Sequence, residues 1–184
     1  MKKLSVFFIL FTAAVIGVSA QAGAAQQAAE ITFTFTRQTG SASNQFAVWI
    51  EDTQGKYIKT LYSTKYTANG GWKRRETSIP VWVRQSGISG MTNAQIDVIS
   101  GATPKTGTLT YIWDGADSKG AAVPAGNYVI VLEATLRWEN QVYYRAPILL
   151  GQGPAEAKVN VEYAGTPPGN ERTMIGDVKA RTLR

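Results

Sequence analysis

Ile31, Phe33 and Phe35 alternate with Thr32, Thr34 and Thr36, a strict period of two that puts all the apolar side chains on one face of an extended chain and all the threonines on the other. A helix would scatter these residues around its circumference, so this stretch constrains the fold most. The pattern recurs at short spacing. Gln45 to Glu51 carries Phe46, Val48 and Ile50 on one face and Ala47 and Trp49 on the other, predicting a strand buried on both sides. Asp52-Thr53-Gln54-Gly55 is a hairpin turn, and Lys56 to Ser63 returns as its paired strand. Further strands are predicted over Gly107 to Trp113, Asn127 to Arg137, Gln141 to Leu150 and Ala155 to Tyr163. In the last, Ala157, Val159, Val161 and Tyr163 oppose Glu156, Lys158, Asn160 and Glu162, which reads as one wet face. Seven or eight short strands with regular turns and no heptad pattern predict an all-β, immunoglobulin/fibronectin-III-like antiparallel sandwich with room for one short helix.

Between Thr64 and Gly90 the strand signal fails. Asn69-Gly70-Gly71 is a turn, and Ser78 to Gln85 reads as a short helix with Ser78 as N-cap and Pro80 in the first turn. At the other end, Gly165-Thr166-Pro167-Pro168-Gly169 breaks the pattern, and the tail 164–184 is expected either as a final edge strand or as a loose end.

The first twenty residues read as an export signal. Lys2 and Lys3 precede the apolar run Leu4 to Val18, followed by small residues suited to cleavage. Gln21 to Ala29 is an Ala/Gln-rich leader, and residues 30–163 form the sandwich domain. The run is short for a transmembrane helix, so no integral span is expected after cleavage, and the protein is expected in the periplasm or outside the cell. The chain contains no Cys and no His. Disulfides, zinc sites, His-ligated haem, Ser-His-Asp triads and Cys nucleophiles are thereby excluded. A net charge of +6, two units of which belong to Lys2 and Lys3, is mild, and no basic helix or aromatic-basic alternation suggests nucleic acid. The chain is expected not to be an enzyme: Glu133 lies among apolar strand residues with no second acid that the sequence can pair with it.

The run Trp113-Asp114-Gly115, with Asp117, Gly120, Val123-Pro124-Ala125-Gly126 and Tyr128, reads as a hairpin and resembles the immunoglobulin-like domain of flagellar hook-capping proteins. Together with Phe46 to Asp52 and Lys59-Thr60-Leu61-Tyr62, it resembles more closely the predicted periplasmic proteins of domain-of-unknown-function family 2271, over roughly residues 30–163. That resemblance implies an accessory role beside flavin-transferase and PepSY-type membrane redox proteins.

Asp97-Val98-Ile99-Ser100-Gly101-Ala102-Thr103 resembles the acceptor motif for covalent flavinylation, in which the final hydroxyl carries FMN. On that likeness Thr103 is the acceptor, Gly101 and Ala102 give clearance, and Asp97 and Ser100 complete the segment. Pro104 restricts Thr103 to extended conformations. The alternative is a plain Gly/Pro turn leading into the next strand. Asp114, Asp117 and Ser118 are weighed as a calcium loop against ordinary hairpin chemistry. Trp49, Trp113, Trp138, Tyr143 and Tyr144 are weighed as a stacking ledge against core packing, with one of the adjacent tyrosines exposed. Lys73-Arg74-Arg75 is weighed as a contact for an anion against a solvated loop.

Overall fold

The computed structural model describes residues 27–40, 43–166 and 171–183. The export signal and most of the leader lie outside the described residues.

Alternating and β-branched segments become ten strands: β1 Ala29–Phe35, β2 Gln45–Asp52, β3 Tyr57–Thr64, β4 Ser100–Gly101, β5 Gly107–Trp113, β6 Gly126–Arg137, β7 Asn140–Leu150, β8 Ala155–Ala157, β9 Asn160–Ala164 and β10 Ile175–Thr182. They form two sheets, one ordered β5-β1-β10-β8 and the other β4-β3-β2-β6-β7-β9. All pairings are antiparallel except β3 with β4. The threonine-alternating segment behaves as its period requires: Ile31, Phe33 and Phe35 are fully buried between the sheets while Thr32 and Thr34 face outward. Phe46, Val48, Ile130 and Leu132 oppose them from the second sheet.

A third layer covers the outer face of the larger sheet. Residues between β3 and β4 form α1 Lys65–Ala68, α2 Pro80–Ser86 and α3 Asn93–Ile99, linked by 3-10 turns. These bring Ala68, Ile79, Trp82, Ile88 and Ile96 down onto Ala47, Trp49 and Val131. The two-sided burial expected for β2 is thus met, with helices supplying the second side. Where one short helix was expected there are three. α3 opens with a Thr92/Gln95 capping box, in which each side chain bonds the other residue's backbone N–H.

Several expectations change once pairing is visible. Ser78 is not the N-cap of α2: Ile79 occupies that position with φ +42°, while the Ser78 hydroxyl is buried against Thr67. The predicted strand Ala155 to Tyr163 divides at Lys158-Val159, β8 joining the smaller sheet and β9 the larger, because the chain crosses between layers there. Val161 and Tyr163 are in consequence exposed rather than covered. The tail forms a strand, but not at an edge: β10 lies between β1 and β8, its register running from Ile175 opposite Phe35 to Thr182 opposite Ala29. The domain therefore extends past residue 163. At the other end, Ala29 is buried in β1, so the leader stops short of it.

Trp113 to Tyr128 is a crossover between sheets rather than a hairpin joining paired strands, since β5 pairs with β1 and β6 pairs with β2 and β7. A small loop of its own, closed by a bridge between Ala116 and Ala122, sits inside it. The Trp113 ring meets Tyr128 edge-on at 5.0 Å; its indole N–H donates to the Ala116 carbonyl (2.7 Å), and the Tyr128 hydroxyl donates to that of Pro124 (2.8 Å). Two aromatic anchors hold the corner.

Candidate functional site

The segment Asp97 to Thr103 runs from the last turn of α3 through β4 into the loop before β5. β4 is the outermost strand of the larger sheet, Ser100 and Gly101 lying parallel to Ser63 and Thr64 of β3. Gly101 is there because of Tyr62: a Cβ at this position would lie 2.8 Å from Tyr62 Cε2. The Tyr62 hydroxyl then donates to the Ala102 carbonyl at 2.7 Å, fixing the loop as it leaves the sheet. The Ser100 hydroxyl is buried without a hydrogen-bond partner. Ala102 is exposed, and Thr103 and Pro104 are half-buried.

Asp97 stands apart from the hydroxyl end of the segment. It is exposed on α3 and pairs with Lys65 of α1 at 3.3 Å. The five motif residues thus share one edge of the molecule without forming a closed constellation. Tyr62 and Lys65 are the contacts that sequence reasoning missed, and no local pattern marks either, since each lies more than thirty residues upstream of its partner.

Behind Gly101, Tyr62 stacks on Tyr111 (4.9 Å between centroids) and on Phe46 (5.3 Å), carrying the edge into the main core. Burial pushes the Tyr62 hydroxyl up to about 12, so it remains a neutral hydrogen-bond donor at physiological pH. A separate cleft of about 760 Å³ opens between β3, α3 and β5, lined by the apolar Leu61, Met91, Ile99 and Ile112 and by Lys59, Asp114 and Lys119.

Glu51 and Glu133 are the fully buried carboxylates among the described residues, and each has structural partners. Glu51 accepts from the Trp49 indole N–H and from Arg145, both at 2.8 Å. Glu133 reaches from β6 to the start of α2 and accepts the Val81 and Trp82 N–H groups at 3.0 and 2.7 Å. This is the cap that Ser78 was expected to give. Desolvation raises the Glu133 carboxyl to about 7, against the two N–H bonds and the nearby Arg84 charge, which pull it down.

The other candidates settle into the fold. Asp114 pairs with Lys59 at 2.8 Å, and Asp117 accepts the Lys119 and Ala121 N–H groups, as a turn aspartate does. No group of three or more acidic residues suited to a metal ion occurs among the described residues. Trp49 and Trp113 are core, and Tyr144 is buried with its hydroxyl on the Ile175 carbonyl. Tyr143 is half-buried on the opposite face, next to Glu133, rather than exposed. Trp138 is exposed, with Arg75 over its ring at 5.5 Å. These rings form no continuous ledge.

The two sheets, the sheet-crossing corner and the helical cover define a β-sandwich with one decorated face, and among the described residues no helix is long and apolar enough to cross a membrane. The chain belongs to the predicted periplasmic protein family DUF2271, which matches residues 27–166, and it is periplasmic on that membership. No curated protein and no solved structure matches it.

Proposed function

We propose that this periplasmic sandwich is a non-enzymatic accessory of an extracytosolic redox system and that it carries FMN on Thr103, delivered by a flavin transferase and used opposite a PepSY-type membrane redox protein. The observation that carries the reading is the position of the acceptor segment. Asp97 to Thr103 emerges at the open edge of the larger sheet, on the far side of β4 from any covering strand.

The residues present fit such a group. The Ser100 hydroxyl is buried and has no partner, and the exposed Ala102 adds no bulk ahead of the acceptor, whereas the space beside Gly101 is taken by the Tyr62 ring. Pro104 restricts Thr103 to extended conformations, so the transferase must accept the acceptor hydroxyl on an extended segment. In the transfer, Thr103 Oγ1 attacks the flavin-side phosphorus of FAD; the phosphoanhydride bond breaks, AMP departs and the hydroxyl proton passes to solvent. Bound FMN supplies the electron transfer that a chain without Cys or His cannot perform with its own side chains.

Co-expression with an FMN transferase tests this by intact mass and in-gel flavin fluorescence. Wild type and Thr103→Ser should gain the mass of one FMN ester, and Thr103→Ala should not. An unmodified wild type overturns the reading and favours the rival, a protein- or glycan-binding module without cofactor. That rival draws on the open β9 edge, where Val161 is 52% and Tyr163 38% exposed.

A further inference from the structure

The run Trp72-Lys73-Arg74 folds back beside α1, with Trp72 half-buried and Lys73 and Arg74 exposed to solvent. Asn69-Gly70-Gly71 turns the chain back sharply: Gly70 has φ +89°, and a Cβ on Gly71 would collide with the Tyr66 carbonyl and ring. The fold-back brings Lys73 and Arg74 beside Lys65. Two adjoining hollows of about 550 and 480 Å³ result, sharing Lys65, Asn69, Gly70 and Lys73 in their walls; Trp72 lines the first and Arg74 the second. Lys73 Nζ lies 5.4 Å from the centre of the Trp72 ring. The single acid in either wall is Asp97, which pairs with Lys65 and leaves the walls net positive.

These hollows adjoin the motif edge. Lys65 directly follows Thr64, the residue paired with Gly101, and Asp97 itself lines the first hollow. We propose that Lys65, Lys73 and Arg74 form a subsite for the phosphate of a ring-bearing mononucleotide, with Trp72 as the apolar wall beside it. The inference deepens the Thr103 reading and rests on it for the choice of flavin nucleotide. A planar guanidinium and two ammonium groups, one of them shared with Asp97, suit a phosphate that is a dianion in free FMN and a monoanion once esterified to Thr103; Arg grips such a group with two parallel N–H bonds while Lys acts as a point charge. An aromatic wall next to that charge favours a phosphate carried on a flat ring over the free ion.

The test uses Thr103→Ala protein made without a transferase, so that no flavin is covalently attached. Calorimetric titration with FMN, riboflavin and inorganic phosphate should give FMN the tightest binding, roughly tenfold or more over riboflavin, the scale expected from one charge-assisted contact. Lys73→Ala/Arg74→Ala should weaken FMN by about the same factor, leave riboflavin unchanged and flatten the salt dependence of FMN binding. If that double variant loses its native near-ultraviolet circular dichroism, Lys65→Gln carries the comparison instead. Equal affinity for FMN and riboflavin, FMN binding indifferent to these substitutions, or binding to phosphatidylglycerol vesicles without affinity for FMN would each overturn the subsite. Missing covalent flavin on the wild type, alongside intact FMN affinity, sinks the Thr103 ester and spares the subsite; the converse result sinks the subsite alone.

Discussion

Glu133 illustrates how one side chain can serve two layers. Its carboxylate leaves the sheet to take the first N–H groups of α2, and Thr135, two residues on, accepts the Ile79 N–H and donates to the Thr77 carbonyl. Because burial raises its carboxyl to about 7 in the fold, well above the ordinary value of 4.5, the folded state holds this proton more tightly than the unfolded chain does. The stabilisation from that proton is complete below about 4.5 and is lost as pH rises through about 7. The cost over that window is on the order of 3 kcal/mol. Urea unfolding of the wild type should therefore show stability falling between those limits, while Glu133→Gln should be flat across them; an equal slope in both proteins would refute the assignment. Gly101 is the second informative residue. Gly101→Ala should displace the Tyr62 ring and stretch its bond to Ala102, costing about 1–3 kcal/mol as overpacking does, with a lower melting temperature as the measure.

Among the elements, the helical cover depends on local signals that differ in strength. α3 is seven residues long and mostly solvent-facing apart from Ile96 and Ile99, so its own cap matters more than for a deeply packed helix. Thr92→Ala should remove the reciprocal capping box and cost about 1 kcal/mol, with faster hydrogen exchange confined to residues 93–99. Uniform loss of protection across the sheets would instead mean that α3 is integral to the sandwich. This box is legible in the sequence as Thr92 and Gln95 ahead of Ile96. For α2 the local signal misleads. Ser78 before Pro80 has the form of a cap, yet Thr67 takes its hydroxyl and Glu133, more than fifty residues later, takes its place. Only tertiary packing brings such a partner near.

On the scale of the whole molecule, the C-terminal strand ties the smaller sheet together. β10 pairs with β1 along its length and with β8 at Ala180 to Thr182. Removing residues 171–184 should leave β1 and β5 as a two-stranded ribbon over an opened core, a unit marginal by itself. The truncated protein should lose cooperative thermal unfolding by circular dichroism; a retained sharp transition would show the larger sheet and its helices to be self-sufficient. Local alternation and composition were enough to place most of the strands, β1, β2, β3, β5, β6 and β7 among them, and to close certain chemistries to a chain without Cys or His, but not to show that 155–163 splits between the sheets and leaves Val161 and Tyr163 exposed. The sequence also marked the motif Asp97 to Thr103. Tertiary structure decided the rest: that Trp113 to Tyr128 crosses between sheets, that β10 is interior, that Glu133 caps a helix, and that Lys65, Lys73 and Arg74 line one hollow. Those facts depend on which distant segments pair, and pairing is set by burying both faces of one sheet at once, a condition no single stretch of chain encodes.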